Sequence, residues 1–135
     1  MNRLTLPKSL FALLLSGGLT LASGALYAHE DAPQAPRHNG VVVEAASGMT
    51  AELSLDGGML MIYLHDHAGG AISSASASGE VILLSGSVKQ VLPLSPSGGN
   101  SLMAQGSYQA AAGSKAFAKI TLPGKPAEQF RFVLN

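Results

Sequence analysis

The sequence predicts an all-β fold, an antiparallel β-sandwich of the immunoglobulin-like kind with seven or eight strands, preceded by a signal peptide. Three observations carry this reading. Short apolar runs alternate with polar residues at period two, turn residues separate them at intervals of about ten residues, and no stretch beyond residue 28 sustains a helical period.

The first eight residues carry Arg3 and Lys8 and no acid, and an apolar run follows from Leu10 to Ala22, interrupted by Gly17 and Gly18. As a helix that run is roughly 20 Å long, short of the ~30 Å hydrocarbon core, so it reads as an export signal and not as a membrane span. Small residues in Ser23-Gly-Ala-Leu-Tyr-Ala28 suit a signal peptidase. Cleavage is expected after Ala28, with Ala25 as the competing site. No cysteine lies near the cut, which excludes a lipoprotein. The chain therefore divides into a signal peptide (1–28), a flexible lead (29–39) rich in polar residues and proline, and a β-sandwich domain (40–135). A periplasmic location follows, with no stable membrane insertion after cleavage.

Strands are expected at about 41–46, 50–56, 59–66, 79–85, 87–94, 101–107, 115–122 and 128–134. Asp56-Gly57-Gly58 and Ser85-Gly86-Ser87 supply compact hairpin turns, where glycine tolerates positive φ. Residues 95–100 and 110–114 are longer loops, and the low-complexity segment 69–79 is expected to cross between sheets as a flexible connection. Alternation assigns faces. Ala116, Ala118, Ile120 and Leu122 point one way and Lys115, Lys119 and Thr121 the other; Phe130, Phe132 and Leu134 oppose Gln129 and Arg131.

Composition narrows function. With Arg3 and Lys8 removed, six Lys/Arg stand against eight Asp/Glu, a balance that argues against nucleic acid or an anionic membrane as partner. The absence of cysteine rules out thiolate ligands and thiol catalysis. No serine sits in a nucleophile elbow, and Asp66 cannot orient His65 or His67 because adjacent strand residues point to opposite faces. With three Tyr, four Phe and no Trp, a deep substrate pocket is not expected either. The sequence does not read as an enzyme.

The stretch Met59-Leu-Met-Ile-Tyr-Leu-His-Asp-His67 holds most of the ligand chemistry. Leu60, Ile62 and Leu64 alternate towards the core, so Met59, Met61, Tyr63, His65 and His67 should share the opposite face. Imidazole accepts Cu(II) and Zn(II), and thioether favours Cu(I). His65 and His67, about 7 Å apart on one face, are within reach of a single ion and should be solvent-accessible. Met59 and Met61 could form a second, softer site by the same spacing. Asp66 falls on the core side by alternation unless the strand has ended, in which case it caps the turn. Paired histidines at strand ends also occur as plain surface residues, and strand methionines also fill gaps beneath loops. Cleavage after Ala28 would leave His29 as the first residue, whose α-amine and imidazole together chelate Cu(II). His38, where the first strand begins, is the remaining candidate.

Arg37-His-Asn-Gly-Val-Val-Val-Glu44, Tyr63-Leu-His-Asp-His67 and Leu92-Pro-Leu-Ser-Pro-Ser-Gly-Gly-Asn100 resemble a family of small secreted β-domain proteins. That family's pattern has a His-Gly-Gly-Val/Ile opening, a strand ending in Asp-His, a Gly-Gly-Asn loop and a final Phe-x-Leu strand. A similar opening occurs in the extra N-terminal domain of some periplasmic adaptor subunits of heavy-metal efflux pumps. The resemblance spans about residues 36–134 and implies a periplasmic β-sandwich associated with metal resistance. By position, His38 matches the opening histidine and Asp66-His67 the strand-end pair. Asn39 stands where the pattern has its first glycine, and His65 is an addition of this sequence. The resulting expectation is a periplasmic accessory protein binding copper or zinc as buffer, chaperone or efflux partner. The alternative is a metal-free interaction module that docks onto an envelope or efflux component.

Overall fold

Eight strands form in the order β1 (Val41–Glu44), β2 (Thr50–Asp56), β3 (Met59–His65), β4 (Ser78–Ser85), β5 (Val88–Pro96), β6 (Ser101–Ala104), β7 (Lys115–Thr121) and β8 (Glu128–Val133). They come from a computed structural model that describes residues 34–56 and 58–135. The expected signal peptide (1–28), His29 and the first part of the expected lead lie outside the described residues. Among those described, no helix is long and apolar enough to cross a membrane.

The all-β, antiparallel class and the eight strands agree with the sequence expectation, but their layering differs. All eight belong to one sheet of order β1-β2-β3-β6-β5-β4-β7-β8, with every neighbouring pair antiparallel. The two end strands, β1 and β8, come alongside each other, so the sheet curls nearly into a barrel. The short strand β6 decides this. It pairs with β3 through Met61↔Met103 and with β5 through Ser95↔Met103, joining two halves that would otherwise stack as separate layers.

Alternation built the core as expected. Leu53, Leu60, Ile62, Leu64, Val81, Leu83, Leu102, Ile120, Phe130 and Phe132 are fully buried inside the curl. Each such side chain contributes about 1.5–3 kcal/mol relative to exposure. The Ser85↔Val88 pair closes β4 and β5 with Gly86 at φ 60, the left-handed conformation such a tight turn needs.

The crossover from β3 to β4 is pinned down along its length. Ile72 N–H donates to the Leu64 carbonyl (3.1 Å), and Ser74 donates to the Gly99 carbonyl through both its backbone N–H (2.9 Å) and its hydroxyl (3.2 Å). Residues 34–39, assigned by their proline and polar content to the lead, lie on the outward face of β2 and β3. That face carries the histidines.

Candidate functional site

The outward face of β2 presents Thr50, Glu52 and Ser54, opposite His65, Tyr63 and Met61 of β3. A polar face of this kind would normally be wet. Here Thr50, Glu52 and Ser54 are all buried, because the segment Gln34–Gly40 covers them.

Glu52 is the anchor. Its Oε1 accepts backbone N–H groups from His38 (2.7 Å) and Gly40 (3.0 Å); its Oε2 accepts the N–H of Arg37 (3.0 Å) and faces His38 Nδ1 (3.1 Å). A carboxylate can only accept, so in this contact the His38 proton sits on Nδ1. Burial alone would raise the Glu52 pKa, but these donors together outweigh it and hold the carboxyl below its ordinary value. The His38 ring lies flat on Tyr63, with centroids 3.5 Å apart. Gly40 permits the approach, since a Cβ there would sit 2.2 Å from the Leu53 carbonyl oxygen. Asn39 takes φ 54, so it supplies the left-handed backbone that a glycine would.

Gln34, Arg37 and Asn100 gather around the end of β3. Gln34 Nε2 donates to the carbonyls of Asp66 (2.8 Å) and His67 (3.3 Å), and Arg37 donates to the Gly69 carbonyl (3.0 Å). Asn100 Nδ2 donates to the Leu64 carbonyl (3.0 Å) and faces His65 Nε2 at 3.4 Å. The three short motifs Arg37–Gly40, Asp66-His67 and Gly98-Gly99-Asn100, far apart in sequence, therefore meet at one strand end.

His65 is not solvent-accessible as alternation suggested. It is only 5% exposed, beneath this cover. Burial first, and the nearby Arg37 cation second, push its pKa below the ordinary imidazole value and keep it neutral.

β3 ends at His65, so strand alternation does not carry on to His67. Asp66 caps the following turn, accepting the Gly70 N–H at Oδ1 (2.8 Å). His67 stands outside the strand, 57% exposed, with Nδ1 4.0 Å from Glu44 Oε1 at the end of β1. It also lines a cleft with Met49, Ile72, Leu122, Lys125 and Glu128.

Met59 is exposed and Met61 half-buried on the outward face, as expected. Among the described residues, no three His, Asp or Glu side chains gather closely enough to hold a metal ion.

Sequence reading missed Glu52 and Gln34, and met Asn100 only as the end of the Gly-Gly-Asn motif. The polar alternation Thr50-Ala-Glu-Leu-Ser54 placed Glu52 on the outward face, but nothing local signals that a distant segment covers it. Compared with known proteins, the chain matches no family model, no curated protein and no solved structure.

Proposed function

We propose that this is an exported, periplasmic accessory domain that binds a transition metal, copper or zinc, with modest affinity, as buffer, chaperone or partner of an efflux system. The observation that supports it best is His67 beside Glu44. The imidazole Nδ1 and the carboxylate Oε1 are 4.0 Å apart, and both side chains are more than half exposed. An ion entering between them would take one nitrogen and one oxygen, a donor pair suited to Zn(II) or Cu(II). Two ligands leave open positions, which keeps affinity modest and leaves room for exchange with a partner. His29, as a processed N-terminus, would add an amine and a second imidazole. His38 offers Nε2 separately, while His65 is held in the interior and is not assigned a ligand role.

The test is calorimetric titration of wild type, His67→Ala and Glu44→Gln with Zn(II) and Cu(II) at neutral pH. Binding should weaken in both variants, and in wild type as pH falls, because ligand groups must be deprotonated. Unchanged affinity in His67→Ala would remove this site from the reading.

A second reading, a metal-free module docking onto an envelope or efflux component, is favoured by the outward face of the other half of the sheet, β5-β4-β7-β8. There Val91, Ile82, Phe117 and Arg131 form one cross-strand row, with Arg131 5.9 Å from the centre of the Phe117 ring. The next row interleaves Lys89, Leu84, Lys115 and Val133, and on the other side Lys119 stands opposite Glu80. Such a face suits an acidic protein surface with an apolar centre. Loss of co-sedimentation with a purified efflux adaptor subunit in Val91→Asp, with metal binding intact, would favour this alternative.

A further inference from the structure

Of the four methionines after Met1, three share the outward face of β3 and β6. Met61 stands directly opposite Met103 across the β3–β6 ladder. Their chain neighbours Leu60, Ile62, Leu102 and Ala104 are all buried in the core, so the two thioethers lie on the other side of the sheet. Directly opposed antiparallel residues have Cβ atoms about 4.5–5.5 Å apart, close enough for two flexible methionine side chains to bring both sulfurs to one ion. Met59 precedes Met61 by two residues, about 7 Å along the same face, and is 48% exposed. The cross-strand row through the pair reads Ser54, Met61, Met103, Ser95 and contains no ionisable group. Methionine in this fold also has its usual role as core filler, and Met49, 7% exposed, plays it. The other three are turned outwards: Ser54 and Ser95 stand at the two ends of the Met61–Met103 row, and Met59 pairs with Asp56 at the start of β3.

We infer that Met59, Met61 and Met103 form a thioether site for a soft monovalent cation, Cu(I) or Ag(I). The inference deepens the metal-handling reading and rests on it, while using residues separate from His67 and Glu44. Thioether is a soft, uncharged donor and selects Cu(I) over the harder dications that imidazole and carboxylate accept. It does not titrate, so binding at this site should persist at acidic pH where imidazole ligands protonate. Oxidation of the methionines to sulfoxides, which turns the soft sulfur into a polar group, should abolish it.

The experiment uses redox-inert Ag(I) and protein labelled with 13C at the methionine methyls. Adding Ag(I) should move the Met59, Met61 and Met103 methyl resonances together and leave that of Met49 in place, at neutral pH and at about pH 5 alike. A Met61→Leu/Met103→Leu variant, close in volume to wild type, should keep its β-type circular dichroism and lose the Ag(I) response. It should retain the Zn(II) and Cu(II) heats that depend on His67. Movement of Met59 alone, movement of all four methyls, no movement at all, or full Ag(I) binding by the double variant would each overturn the inference. If Ag(I) binding is missing but His67-dependent Zn(II) or Cu(II) binding persists, only the thioether site falls. If both are missing, the metal-handling reading falls with it.

Discussion

The imidazole of His38 lies parallel to the ring of Tyr63, with centroids 3.5 Å apart and planes within 3° of each other. One edge of the same imidazole is bound to Glu52 through Nδ1. Stacking fixes the plane of the ring and the carboxylate fixes its rotation within that plane. A residue 25 positions upstream in the chain is thereby locked onto the middle of β3. The lock closes over Glu52, which is only 2% exposed.

Replacing Glu52 with Gln should therefore cost far more than a surface substitution. All four hydrogen-bonding positions of the carboxylate face donors: three backbone N–H groups and the His38 ring. A glutamine amide would turn an NH2 towards two of them, leaving donor against donor at a buried site. The expected loss is about 2–3 kcal/mol in urea unfolding, with faster proteolysis at Arg37 as residues 34–40 come away from the sheet. Unchanged stability and unchanged cleavage would show that the segment is held by other contacts.

His65 should make stability fall on mild acidification. Its pKa is lowered in the folded protein, by burial first and by the Arg37 cation second. The unfolded chain therefore binds a proton more readily than the fold does. The contribution is fully present above the unfolded value of about 6.5 and is lost as pH falls from there towards the lower folded value. Urea midpoints measured from pH 7.5 downwards should drop for wild type below about pH 6.5, and more shallowly for His65→Gln. Parallel curves for the two proteins would mean that His65 is not the group responsible.

Asn39 and Gly40 should respond in opposite ways to small changes. Asn39 already occupies the left-handed region at φ 54, so Asn39→Gly should be neutral or slightly stabilising. Asn39→Val should cost about 1–2 kcal/mol, because a β-branched side chain strains that backbone. Gly40→Ala should cost more still, since its Cβ would meet the Leu53 carbonyl oxygen at 2.2 Å and backbone cannot yield as a side chain does. Equilibrium unfolding of the three variants gives the order. A well-folded Gly40→Ala would contradict this close approach.

The sequence by itself determined the strands, their inner faces and the turns between them. Period-two alternation is a local property, and Leu60, Ile62 and Leu64, or Phe130, Phe132 and Leu134, carry it without reference to anything distant. It also correctly turned Met59 and Met61 outwards and gave Asp66 to the turn. Only the tertiary structure decided which strands are neighbours and which outward faces are covered. The four residues of β6 could not announce that they would join β3 to β5 into one sheet, because alternation is the same in a sandwich and in a curled sheet. For the same reason the pairing of Met61 with Met103, 42 positions apart, was not legible in the chain. The burial of Glu52 depends on residues 34–40 settling over it, and His65 is buried beside the distant Asn100. Hydrogen bonds between an irregular segment and a distant carboxylate leave no periodic trace in the sequence.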